Sequence, residues 1–218
     1  MRQSNNLTLS FLQRVYRRVL STVYLGAVAV CTYATTLDVF LSNIEKRTLQ
    51  SDFTITITED ATQPMNYTGS LCMRGQCFWL SMFDTEAAFD GSTLYLYSSS
   101  TDELTLSTPT KQELMEANPF LYAQALKQVC TITERAAKDP QQTTVVLTPK
   151  DAHSEIQRFM IRLKRIEGSG EQSVYLPLSI EIKEGKRVTT LTLKQPKYIT
   201  TSCAFRLEYP DAFQNDLR

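Results

Sequence analysis

One histidine, His153, serves the whole chain. His153 lies in Lys150-Asp-Ala-His-Ser154, a polar, turn-like stretch read as solvent-exposed. Nucleophilic catalysis needs a base beside its nucleophile, and a single histidine leaves few options. Gly-x-Ser-x-Gly, a phosphate-cradling glycine loop, a dinucleotide fingerprint and a His-rich metal cluster are all missing. Asp and Glu are scattered at turns and strand edges, so no carboxylate pair for glycoside hydrolysis is nominated. The tracts Asn6-Leu-Thr8 and Asn66-Tyr-Thr68 match the glycosylation pattern, but both read as chance. The expectation is a protein with no catalytic residue, no metal and no cofactor.

The cysteines are the remaining reactive groups. Of the five, Cys31 is expected to leave with an export leader, which keeps Cys72, Cys77, Cys130 and Cys203. No Cys-x-x-Cys spacing is present, so a zinc or redox site is not expected. If Arg74 and Gly75 form the turn of a hairpin, Cys72 faces Cys77 at a non-hydrogen-bonded position. Their Cα atoms then sit about 4.5 Å apart, within reach of a disulfide after export. Two free, partly buried thiols are the alternative. The same register puts Leu71 with Phe78, Gly69 with Leu80 and Tyr67 with Met82 on the opposite, almost wholly apolar face.

Residues 1–34 hold four arginines and no acid, and the rest of the chain sets 19 basic against 23 acidic residues. A mildly acidic body with no basic stripe argues against a nucleic-acid partner. Arg14, Arg17 and Arg18 precede the short apolar run Val19–Cys31, and Thr32-Tyr33-Ala34 supplies a small-x-small cleavage site. That order is an export signal, expected to be cut near Ala34. Two alternatives stay open: a retained N-terminal anchor, and lipid attachment at Cys31. At 218 residues with 42% hydrophobic and 21% charged residues, the composition excludes disorder and a polytopic membrane protein.

The elements follow from periodicity. Thr35 and Asp38 stand at capping-box spacing, and Leu37, Phe40, Leu41 and Ile44 recur at helical intervals, predicting a helix to about Gln50. From Phe53 the period becomes two, with predicted strands at 53–57, 67–73, 76–83, 94–97 and 104–106. Thr110 caps a helix to Ala117, Asn118-Pro119 interrupts it, and Phe120 to Val129 continues helically. Strands resume at 143–147, 156–164, 174–182, 188–193 and 203–209, with Gly168-Ser-Gly170 and Glu184-Gly185 as turns. About ten antiparallel strands with no βαβ rhythm predict a mainly β fold: an incomplete barrel, or half-barrel, with helices covering its concave face. One domain over 35–218 follows the leader at 1–34.

Large apolar groups concentrate at inward-type positions: Leu71, Phe78, Leu80, Met82, Leu94, Leu96, Leu104, Leu106, Phe159, Ile161 and Leu163, with Phe120 on the helical section. The pattern fits a filled core. It fits equally a cavity for acyl chains, because Met and Phe adapt their shape cheaply.

From Tyr67 to Gln124 the chain resembles the bacterial outer-membrane lipoprotein carrier family, LolA. The resemblance rests on an ordered series: Gly69-Ser-Leu71, Arg74 and Phe78-Trp79, then Asp90-Gly91-Ser-Thr-Leu94-Tyr-Leu-Tyr97, then Asp102-Glu-Leu-Thr-Leu106, then Asn118-Pro119-Phe120. It implies a half-barrel that holds lipoprotein acyl chains under a helical lid, with no bond chemistry. Such a monomeric periplasmic carrier would take its cargo from an inner-membrane lipoprotein-releasing ABC transporter and give it to an outer-membrane acceptor. Many members carry Lys-Arg-Pro in the first hairpin, whose arginine helps hold the lid shut. Arg74, in a tract one residue shorter and without the proline, is its best match and the lid-control candidate. A lipid- or lipoprotein-sensing regulatory domain, or a lipid-anchored outer-membrane acceptor, are alternatives on the same fold.

Overall fold

Alternation of apolar side chains with threonine over Phe53-Thr-Ile-Thr-Ile57 builds the strand at the centre of the sheet. The structure is a computed structural model and describes residues 35–60, 62–166, 173–201 and 203–218. The leader, Cys31, the cleavage site and Gly168-Ser-Gly170 lie outside the described residues.

In chain order the elements are α1 (Thr36–Lys46), β1 (Thr48–Glu59), β2 (Met65–Arg74), β3 (Cys77–Met82), β4 (Thr85–Phe89), β5 (Leu94–Ser98) and β6 (Glu103–Ser107). Then come α2 (Lys111–Ala117), α3 (Pro119–Val129), β7 (Cys130–Ala136), β8 (Gln142–Pro149), β9 (Ile156–Ile166), β10 (Val174–Glu184), β11 (Arg187–Ile199) and β12 (Phe213–Asp216). All twelve strands form one open sheet, in the order β12-β6-β5-β4-β3-β2-β1-β11-β10-β9-β8-β7. The fold is mainly β, a curved sheet not closed into a barrel, as predicted. Two antiparallel meanders, β1–β6 and β7–β11, meet where β1 pairs with β11.

That order explains the helices. β6 and β7 are consecutive in the chain yet lie toward opposite ends of the sheet, so their connection must cross it. α2 and α3 make that crossing and meet α1 over the concave face. Capping fixes each start. Thr35 and Asp38 form a capping box on α1, Thr110 and Glu113 form one on α2, and Asn118 accepts from the Phe120 and Leu121 amides at the head of α3. Pro119 sits at the first turn, where a missing N–H costs nothing.

Several boundaries differ from the sequence reading. α1 stops at Lys46 rather than near Gln50, because Arg47 turns extended and Thr48, Leu49 and Gln50 already pair with both β2 and β11 or with β11 alone. β4 and β7 are strands that the periodicity did not yield, and residues 203–209 form no strand. The stretch instead runs irregularly across the convex face to β12, which pairs with β6 in parallel. Asp90, singled out beside Gly91, is a turn device. Burial pushes its carboxyl up, but hydrogen bonds from Thr93, Ser92 and Tyr95 outweigh this and hold it at about 2.

Candidate functional site: an apolar cavity under a short helix

Strand parity decides which side chains meet. In β2 the odd residues Met65, Tyr67, Gly69, Leu71 and Met73 face the helices, matched in β3 by Phe78, Leu80 and Met82. The hairpin turn is Gly75-Gln76, not Arg74-Gly75, so Arg74 pairs with Cys77 and Cys72 with Trp79. The first turn position has φ +58°, which glycine adopts freely and arginine does not. A slip of two positions leaves every side chain on its expected face but separates the two cysteines. Cys72 instead bonds Cys203 at a Cα separation of 6.4 Å, and Cys77 stays a free, half-buried thiol. The predicted Cys72–Cys77 pairing is therefore corrected. Burial pushes the Cys77 thiol up, Asp90 and Glu45 add to this and Arg74 opposes it, so the thiol is not activated.

On the concave side, β1, β2, β3, β10 and β11 surround a cavity of about 120 Å³. Its walls are Phe53, Ile55, Leu71, Met73, Leu80, Met82, Ile180, Ile182 and Leu191, with Thr189 as the one polar wall residue from the sheet. Glu116, Ala117 and Pro119, at the α2–α3 junction, close it. Gly69 belongs to this architecture: a Cβ there would fall 2.6 Å from Phe53 Cζ and clash with the Ser81 carbonyl, so its absence lets the Phe53 ring lie across β2. Glu116 is the carboxylate at the rim. Burial and the neighbouring Glu113 raise its pKa, and a hydrogen bond from Gln112 Nε2 at 3.1 Å works against them.

The cover is unevenly anchored. α2 has no fully buried residue; Leu114 and Met115 are only half-buried. α3 buries Phe120, Tyr122, Ala123 and Leu126. Between them, Asn118 is fully buried and donates from Nδ2 to the Gly75 carbonyl at 3.1 Å. The Gly75 amide in turn donates to the Ile44 carbonyl at 2.9 Å. One tight turn thus joins the sheet, the end of α1 and the start of α3. A Cβ at Gly75 would approach Glu45 Oε2 to 2.9 Å. An ion pair between Lys127 and Asp38 further ties α3 to α1.

The predicted lining residues fall into three groups. Leu71, Leu80 and Met82 line the cavity. Phe78, Phe120, Phe159 and Ile161 are buried in packed core instead, and Leu94 and Leu96 pack against that core from its margin. Phe78 lies 6.1 Å from Phe89, Phe120 meets Phe40 edge-on at 5.4 Å, and Phe159 meets Tyr122 at 5.7 Å. Leu104 and Leu106 are on the wrong face for the cavity. The β5–β6 register pairs Tyr97 with Leu104 and Tyr95 with Leu106, so these leucines lie on the convex side with Ala88, Leu207 and Ala212. There Tyr209 stacks on Tyr97 at 3.6 Å and donates to Glu86 at 2.9 Å; burial and Glu86 push its hydroxyl up to about 12.

Arg74 is exposed at the end of β2, on the convex-side parity of Cys72, and Asn118 makes the contact to the hairpin turn. His153 is exposed, as expected. The sequence reading missed Phe53, Ile55, Met73, Ile180, Ile182, Thr189 and Leu191. Their signal was present, because each sits in an alternating tract, but only the β1–β2 and β1–β11 pairings set these tracts around one space. Among the described residues no His, Cys, Asp and Glu group has metal-binding geometry, and no helix is long and apolar enough to cross a membrane.

No family model matches the chain, and no curated protein matches it in sequence. Solved structures do. An uncharacterized conserved protein from Thermus thermophilus superposes with a TM-score of 0.51 at 12% identity, over 83% of this chain and 96% of that one. A LolA superfamily protein from Nitrosomonas europaea matches at a TM-score of 0.40 and 10% identity, over 78% and 96%. LprF from Mycobacterium bovis matches at 0.35 and 10%, over 77% and 92%. The Thermus likeness is one of fold.

Proposed function

We propose that residues 35–218 form a single carrier domain that holds the acyl chains of lipoproteins between its curved sheet and α2, and performs no bond chemistry. The observation that carries this is an apolar cavity covered by a helix that buries none of its own residues. As it stands, the space is smaller than the roughly 150 Å³ cavity that takes up a benzene molecule. A long chain therefore enters only as α2 swings away, with Asn118 and Gly75 as the fixed point. Each methylene taken from water contributes about 0.8 kcal/mol, so a displaced helix of seven residues is readily offset by one acyl chain.

Transfer then needs no fuel at this protein. A ligand shifts the lid equilibrium only by its differential affinity for the open state, and an acceptor that binds the chains better completes delivery. Export to the periplasm, loading from an inner-membrane ABC transporter and unloading to an outer-membrane acceptor complete the reading. The test is release: the purified mature protein, mixed with inner membranes containing lipoprotein and an active transporter, should bring the lipoprotein into solution as a one-to-one complex. Lipoprotein that binds the protein yet stays in the membrane would favour a sensor over a carrier.

A further inference from the structure

The cavity has a direction. β1 reads it off, since each of its concave residues pairs on both sides. Ile57 is level with Met65 and Thr189, Ile55 with Tyr67 and Leu191, Phe53 with Gly69 and Leu193, and Leu49 with Met73. The Met73 end is shut by the Gly75 turn and its bonds to Ile44 and Asn118. Toward the other end the wall becomes polar: Thr189 lines the cavity, and Arg187 and Glu184 follow at the β10–β11 turn. Met65 and Phe83, 46% and 65% exposed, form an apolar lip there, with Tyr67 edge-on to Phe83 at 5.6 Å.

Thr189 Oγ1 is a buried atom with no hydrogen-bond partner among the described residues. A buried hydroxyl left unpaired is costly, and the hydrocarbon walls around it offer no acceptor, so a water or a ligand must supply the partner. A free carboxylate is the poorer candidate: it would give up its hydration for hydrocarbon walls, and Arg187, two residues along β11, already interacts with Glu184. A neutral carbonyl fits. Resting on the carrier reading above, we propose that the cavity takes an acyl ester or amide with its carbonyl accepting from Thr189 Oγ1 and its methyl end toward Met73. From the Thr189 level to the Met73 level, β1 runs eight residues, roughly 26 Å. That exceeds the ~15 Å of one bilayer leaflet, so the axis is long enough for an acyl chain once α2 has swung away. The glyceryl or peptide portion of the ligand then leaves past the lip of Met65 and Phe83.

Thr189→Val tests this without risking the fold, since it removes an unpaired hydroxyl at constant shape. Wild type and variant are titrated calorimetrically with methyl laurate, laurate and tridecane, and their Tm values compared. The expected result is affinity for methyl laurate lowered roughly 3- to 10-fold by the substitution, tridecane unchanged, and a Tm equal or higher. Equal loss for methyl laurate and tridecane, no loss for either, or a lower Tm would overturn the role of Thr189. Laurate binding wild type more tightly than its methyl ester would overturn the neutral-carbonyl class. An ester carrying a terminal diazirine should cross-link to Leu71 or Met73; cross-links at Ile182 or Thr189 would reverse the orientation. Failure of wild type to bind any of the three would sink the carrier reading itself rather than this refinement.

Discussion

Under α3 the concave face of β8 and β9 is filled, while under α2 the neighbouring face of β1, β2, β3, β10 and β11 is not. Both surfaces come from the same kind of sequence, alternating strands rich in Leu, Ile, Val and Phe. Val145, Leu147, Phe159, Ile161 and Leu163 are all fully buried in the first region. In the second, Ile55, Leu80 and Leu191 are only partly buried beside open space. The difference lies in the cover. The eleven residues of α3 send four side chains fully into the interior, and the seven of α2 send none. A half-barrel can therefore carry its stability in one part of its concave face and leave another less tightly filled.

The largest effect should come from the filled side. Phe159→Ala is expected to cost about 3–5 kcal/mol in urea unfolding, with acyl affinity falling no further than the loss of folded protein explains. Leu80→Ala borders existing space and should cost only about 1–2 kcal/mol while changing acyl affinity directly. Equal costs at the two positions would mean that both regions are equally packed, and the comparison would fail. Phe78→Ala belongs with Phe159 in this test, since Phe78 is fully buried and does not line the cavity.

At the boundary, Asn118→Ala removes the α3 cap and the bond to Gly75, for an expected loss of about 1–3 kcal/mol. Its more telling readout is hydrogen exchange. Amides of 111–117 should exchange faster than global unfolding allows, while those of β9 follow global stability. Uniform acceleration across both segments would show that α2 and α3 open as one unit.

The smallest effect is one of pH. Burial lifts the Glu184 carboxyl to about 7, with Glu155 adding to this and Arg187 opposing it. A raised folded-state pKa means that the stabilising contribution is complete below the unfolded value near 4.5 and is lost as pH rises through about 7. Tm should therefore fall between pH 5 and pH 8, by something of the order of 2–4 °C once solvent screening is allowed for. Glu184→Gln should flatten that slope. An unchanged slope in the variant would assign the effect to another group.

Much of the fold was legible because its signals are local. The Thr35–Asp38 capping box, the Thr110 cap, the Asn118-Pro119 break and the alternation of β1, β2 and β9 each lie within a few residues, and each formed as read. The site was legible in part. Leu71, Leu80 and Met82 were found from parity, which survives a register error of two. Leu104 and Leu106 were misplaced because parity across the β5–β6 turn depends on its loop length, which composition does not fix. The Cys72–Cys203 bond spans 131 residues, and no local pattern announces it.

By itself the sequence determined which residues alternate and where helices begin, because these depend on side-chain type and near-neighbour backbone geometry. Only the tertiary structure decided that β1 and β11 join the two meanders, that Asn118 rather than Arg74 meets the hairpin turn, and that Thr189 faces the cavity. Those depend on contacts between residues far apart in the chain, where the free energy of pairing is set by the whole sheet and its cover rather than by any one segment.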